Sequence, residues 1–264
     1  MISAAIKKNN SHLVVGLDTD INKIPDIFLT ETMPVVFFNK AVIEATKDIV
    51  AGYKLNMAFY ENKFGYENLQ KTLNLIPDEL FSICDGKRGD IENTSELYAR
   101  TYLDELNFDS LTFNPYMGTD SIKPFIKRDD KVIFTLLLTS NPGACDIQEL
   151  ILKNTDNRVY NTVLKLCMKW NKNDNIGFVI GANHTKEIEM VTKKYKDFPL
   201  LIPGIGSQAH DLKKLMKSIK HKNFFINASR SIIYSAAKDC TLEEFKNNVR
   251  TKALELSSAI NNEL

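Results

Sequence analysis

The stretch LFSICDGKRGDI, residues 80–91, opens as an apolar run and ends in Asp85, Lys87, Arg88 and Asp90. An apolar run without strict alternation suits a strand buried on both faces, the hallmark of a parallel sheet. The charges behind it are either a solvated turn or an assembled array, and the rest of the chain decides between these. Seven further runs share the pattern: LVVGLD (13–18), GYKLN (52–56), DSLTFN (109–114), KVIFTLLLT (131–139), NIGFVIGA (175–182), PLLIPGIG (199–206) and NFFINAS (223–229). Between them lie segments of helical period, among them 34–50, 93–108, 157–170, 186–195, 209–219 and 241–260. The first of these starts at Pro34, a favoured first-turn residue. The last opens with Thr241 and Glu244, a capping box. In 93–108 the apolar positions are Leu97, Tyr98, Tyr102 and Leu106. Eight β units, each followed by a helix or helical turn, predict an α/β fold: a (β/α)8 TIM barrel, with residues 1–264 as a single catalytic domain. The rival is an open doubly wound sheet.

Composition narrows the function classes. The chain has 264 residues, 44% hydrophobic and 25% charged, with a net charge of +1. That balance gives no broad nucleic-acid or membrane footprint, while small anions need only a local positive site. The four cysteines (Cys84, Cys145, Cys167, Cys240) are scattered, which fits reduced thiols in a cytoplasmic protein. The N-terminus lacks a signal-peptide apolar core, no run approaches a membrane span, and the four histidines have no metal-ligand spacing.

In a TIM barrel, chemistry sits just past the C-terminal ends of the strands. Asp18, Lys54, Asn56, Asp85 and Asn114 all fall there, with Lys87 and Asp90 beyond the third strand. Lys54 stands inside the apolar GYKLNMAF. On an edge strand it would snorkel to water; in a buried strand its ammonium needs a carboxylate, and Asp85 and Asp90 are candidates. Charges held in this way stabilise charge that develops during a reaction. Arg88 and the glycines of the block read as spacing and surface. A phosphate site is expected from PGIGSQ (203–208) and ASRSI (228–232), the loops after the seventh and eighth strands, with Arg230 as a planar donor fork. GIGSQA also fits a dinucleotide fingerprint, but no acidic residue ends the next strand.

The motifs GLDTD, KLN, DGKRGDI with Thr94, TSNPGA, GFVIGAN, PGIGSQ and SR, in this order from about residue 13 to 235, resemble the orotidine 5'-phosphate decarboxylase family, in its longer-chain subgroup. The resemblance implies a homodimer, with no metal or organic cofactor, that converts orotidine 5'-monophosphate to uridine 5'-monophosphate and CO2. It makes Lys87 the proton donor to C6, sets Asp85 beside the substrate carboxylate, and adds Lys54 and a partner-contributed Asp90 to the charge network. Thr94 crosses the interface to the ribose; Asp18 and Asn56 match ribose or network positions. Ser140 reads the pyrimidine, and Pro203, Gly206, Gln208, Ser229 and Arg230 line the phosphate. Many relatives have Gly where Ser229 stands, and a backbone N–H survives that change. The segment after Ser140 and the loop after Gly206 are the expected lids. Alternatives are a Mg2+-dependent sugar-phosphate decarboxylase or aldolase of the same superfamily, a non-catalytic phospholigand-binding barrel, and a nucleotide-dependent oxidoreductase.

Overall fold

The computed structural model describes residues 1–196, 198–205 and 209–264, without the side chains of residues 209 and 210. All eight expected strands form: β1 (Leu13–Gly16), β2 (Gly52–Asn56), β3 (Phe81–Arg88), β4 (Ser110–Phe113), β5 (Val132–Leu138), β6 (Ile176–Ile180), β7 (Leu200–Pro203) and β8 (Phe224–Ala228). They are hydrogen-bonded in chain order into a closed barrel. Neighbouring strands run parallel, as in Val14 opposite Gly52 and Asn56 opposite Asp85. β8 returns to β1, with Val15 opposite Ala228. The open doubly wound alternative is thereby overturned.

Two compact units make up the chain: residues 1–85, 207–212 and 225–264 in the first, and 86–206 and 213–224 in the second. In the first unit, the helix Pro34–Thr46 packs on Leu242–Asn261. Phe28, Phe38 and Phe245 form an edge-to-face and tilted cluster beneath them, with ring centres 4.9 to 5.3 Å apart. In the second unit, β5 and β6 pair from Ile133 opposite Ile176 to Leu138 opposite Ile180. Phe134, Phe178 and Ile180 are fully buried there. Among the described residues no helix is long and apolar enough to cross a membrane.

Local sequence explains most boundaries. Pro34 opens its helix. Thr241 accepts from the Glu244 N–H while Glu244 accepts from the Thr241 N–H, so the capping box is complete. The helices Ile2–Asn9, Gly65–Leu73 and Thr119–Ile126 were not located by periodicity; each is under ten residues, too short for a repeat to stand out.

Two expectations need correction. β3 does not stop at Asp85 but continues through Lys87 to Arg88. The segment 93–108 is regular only over Glu92–Ala99, then widens over Arg100–Glu105, where the Leu106 N–H reaches five residues back to the Thr101 carbonyl. Leu97 therefore does not join the core and is exposed, whereas Tyr102 and Leu106 are buried.

Thr241→Ala removes the capping acceptor and is expected to lower unfolding free energy by about 0.5–2 kcal/mol, read as a drop in denaturant midpoint at constant slope.

Candidate active site

The geometry starts at β2. Tyr53 points towards the helical layer, where its hydroxyl meets Thr46 Oγ1 at 2.8 Å. Alternation then turns Lys54 and Asn56 to the opposite, inner face. Lys54 is only 4% exposed. Its ammonium lies 3.2 Å from Asp18 Oδ1 and 3.0 Å from Asp85 Oδ2. Burial pulls this amine towards its neutral form. The Asp85 and Asp18 carboxylates outweigh that pull, and its pKa stands above the ordinary lysine value. Lys54 thus stays charged at neutral pH, and its contribution to stability is lost only as pH climbs through the raised value.

Asp18 is set by its backbone. The buried Tyr60 hydroxyl donates to the Leu17 carbonyl at 2.9 Å, and Tyr234 donates to the Asp18 carbonyl at 2.9 Å. Tyr60 in turn accepts from Asn39 Nδ2, which also donates to Thr72 Oγ1, both at 3.0 Å. Burial pushes the Tyr60 hydroxyl pKa up, keeping it a donor. Asn56, opposite Asp85 in register, spends its Oδ1 on the Ala58 N–H. Nothing in the sequence pattern marked Tyr60, Asn39 or Tyr234, because their partners lie up to 216 residues away.

At the end of β8, Ser229 precedes a single helical turn, Arg230–Ile233, and Arg230 is exposed. Gly16 makes room for Ser229: a Cβ on Gly16 would fall 2.0 Å from Ser229 Oγ and 3.3 Å from Asp18 Oδ2.

The second unit holds the other expected residues. Lys87 follows Asp85 by two residues on β3 and adopts a left-handed backbone, φ 48°. Its N–H donates to Thr112 Oγ1 at 2.9 Å. Arg88 is half-buried instead of lying on the surface, and its guanidinium rests against the rings of Tyr98 and Tyr102. Asp90 is fixed by Ser95, whose hydroxyl accepts from the Asp90 N–H and donates to its carbonyl. Asp90 Oδ1 accepts from the Ile91 N–H at 2.7 Å. Thr94 lies half-buried in the first turn of the following helix. Ser140 follows β5, where Gly181 and Gly204 both approach it; a Cβ on Gly181 would sit 2.7 Å from Ser140 Cβ. Pro203 ends β7 and its carbonyl accepts from the Ala182 N–H at 3.0 Å. Gln148 bridges the segment after Ser140 back to Thr139 through two 2.8 Å bonds. Gly206 and Gln208 lie outside the described residues.

The structure therefore brings Asp18, Lys54 and Asp85 into direct contact, with Asn56 opposite Asp85. Among the described residues no three His, Cys, Asp or Glu side chains group as metal ligands; the two carboxylates at Lys54 are engaged by its ammonium.

A closed parallel barrel with an ammonium held between carboxylates at its strand ends defines a TIM-barrel enzyme. Residues 11–245 match the model of the orotidine 5'-phosphate decarboxylase / HUMPS family. A curated relative from Dehalococcoides mccartyi, named orotidine 5'-phosphate decarboxylase, is 42% identical over 267 residues, covering 98% of this chain and 96% of its own. One of the same name from Bacteroides fragilis is 43% identical over 237 residues, covering 87% and 86%. Leishmania donovani OMP decarboxylase superposes with a TM-score of 0.83 at 31% identity, over 99% of this chain and 96% of that one. Leishmania donovani UMP synthase gives 0.85 at 32% identity, over 99% of this chain and 55% of that one. The chain belongs to the orotidine 5'-phosphate decarboxylase / HUMPS family.

Lys54→Met removes the buried ammonium that Asp18 and Asp85 share, and unfolding free energy is expected to fall by about 3–5 kcal/mol. Equilibrium denaturation of wild type and variant checks this; an unchanged midpoint would show that the ion pairs do not hold the strand ends together.

Proposed function

We propose that this chain, acting as one catalytic domain, removes CO2 from orotidine 5'-monophosphate to yield uridine 5'-monophosphate, the last step of de novo pyrimidine synthesis. The observation that carries the reading is the buried Lys54 ammonium between Asp18 and Asp85, on the strand that continues into Lys87. Membership of the family and the names of the relatives support the same substrate.

The residue types suit the chemistry. When the C6–carboxylate bond breaks, its electron pair stays on C6, and CO2 leaves. An ammonium held at that carbon lowers the energy of the developing charge. Lys87 fills this role and then transfers a proton to C6, recovering one from solvent. Asp85 faces the departing carboxylate, and Lys54 fixes the direction of Asp85. Asp18 and Asn56 meet the ribose or the network, and Ser140 reads the pyrimidine. Pro203, Gly206, Gln208, Ser229 and Arg230 hold the phosphate, whose binding energy positions the ring far from the bond that breaks. The segment after Ser140 and the loop after Gly206 close over the nucleotide.

The functional form in this reading is a homodimer in which Asp90 and Thr94 complete the partner's site. Support comes from Ile91, Leu97, Tyr116 and Met117, large apolar side chains left exposed on the same unit as Asp90 and Thr94. A cytoplasmic location accompanies the pathway and suits the free cysteines. The reaction needs no metal or organic cofactor.

Purified protein in excess chelator should deplete the ultraviolet absorbance of orotidine 5'-monophosphate; activity that appears only with added Mg2+ and a sugar phosphate would favour the other branch of the family. Lys87→Ala is expected to abolish turnover while the circular dichroism of the fold persists, and near-normal CO2 release from that variant would sink the assignment. Arg230→Ala should raise KM for the nucleotide with little effect on substrates lacking the phosphate, because its guanidinium acts on that group alone.

A further inference from the structure

Lys87 is asked to hold an ammonium in one position, yet its backbone sits in a conformation that costs a non-glycine residue about 1–2 kcal/mol. Such strain persists only where the surroundings over-determine it. The peptide unit joining Gly86 to Lys87 shows how. Its N–H donates to Thr112 Oγ1 at 2.9 Å. Its carbonyl accepts from Arg88 Nη1 at 3.1 Å. Both ends of the one peptide plane that sets φ of Lys87 are therefore held by side chains.

Both holders are themselves fixed. Thr112 is 1% exposed on β4. Arg88 donates through Nη2 to the Tyr102 hydroxyl at 2.9 Å, and its guanidinium carbon lies 5.1 Å and 5.3 Å from the ring centres of Tyr98 and Tyr102. Those rings are stacked, 14° from parallel, across the point where the helix widens. The Arg88 carbonyl also accepts from the Asn114 N–H at 2.7 Å, which fixes the chain just past Lys87. A planar fork that stacks and donates in two directions is a task for arginine that lysine cannot perform.

We infer that Arg88 and Thr112 are positioning residues for Lys87, clamping the Gly86–Lys87 peptide plane from opposite sides so that the ammonium is aimed before substrate arrives. The inference rests on the proposed decarboxylase reading. It predicts a loss in kcat with unchanged ground-state binding, because both side chains act on the main chain at Lys87.

The test uses the full chain and four variants: Arg88→Met, Arg88→Lys, Thr112→Val and Thr112→Ser. For each, kcat and KM for orotidine 5'-monophosphate and Kd for uridine 5'-monophosphate are measured. Misplacement of a catalytic group by about 1 Å costs roughly 10²-fold in rate. That loss in kcat is expected for Arg88→Met, Arg88→Lys and Thr112→Val, with KM and product affinity unchanged. Thr112→Ser restores the acceptor and should regain the rate. Wild-type kcat in Arg88→Met and Thr112→Val, or a loss confined to KM and Kd, overturns the inference. Should Arg88→Met fail to fold, the Thr112 pair decides: a loss in Val regained in Ser upholds the clamp, and equal kcat in the two refutes it. A wild-type chain that does not turn the nucleotide over refutes the functional reading instead.

Discussion

The arrangement turns on one buried cation. An ammonium removed from water costs several kcal/mol after relaxation, and Lys54 is offset by two carboxylates at about hydrogen-bond distance. Each partner comes from a different strand end: Asp18 follows β1 and Asp85 lies on β3, with β2 between them. The parallel register sets Lys54 opposite Gly16 and Ile83, two residues short of Asp18 and Asp85, and its long side chain reaches along the sheet to both carboxylates. The charge pattern is thus a consequence of strand order, and a slip of one residue in β2 would turn Lys54 to the helical face, away from Asp18 and Asp85.

Around this core the polar groups act in layers. Tyr60 and Tyr234 donate to the backbone carbonyls of Leu17 and Asp18, and Asn39 holds the Tyr60 hydroxyl in place. Ser95 likewise bonds the backbone at Asp90, and Thr112 at Lys87. The charged residues that suit the reaction are not oriented by one another alone. Neutral side chains, with Arg88 at the Gly86 carbonyl, hold the main chain, and the main chain helps to aim the charges. Fully satisfied networks of this kind keep a single geometry in a low-dielectric setting, where each bond is stronger and each omission costlier.

Much of this was legible from residue order. The eight apolar runs announced eight strands because strands covered on both faces have no solvent side to break the run. Lys54, Asp85 and Lys87 stood out because charge next to such runs demands a reason. What escaped has a common physical origin. Tyr60, Asn39 and Thr112 act through contacts 20 to 43 residues distant, which no local spacing encodes. Arg88 was read as surface because an arginine among charges looks solvated, and its seat between ring faces depends on Tyr98 and Tyr102 a full helix later. Leu97 fitted an apolar stripe that assumed regular winding, and the widened turn at Arg100–Glu105 ends that winding.

The contact of Gly16 with Ser229 has a bearing on how such a chain can change over time. Since a Cβ at 16 would overlap the Ser229 hydroxyl and crowd Asp18, the two positions are not free to vary alone. A side chain can enter at 16 only if the Ser229 hydroxyl swings away and Asp18 gives a few tenths of an ångström, so the residue at 16 is coupled to the one at 229. With glycine at 229 the hydroxyl overlap would vanish and leave Asp18 as the remaining neighbour, so the serine found here raises the demand for glycine at 16.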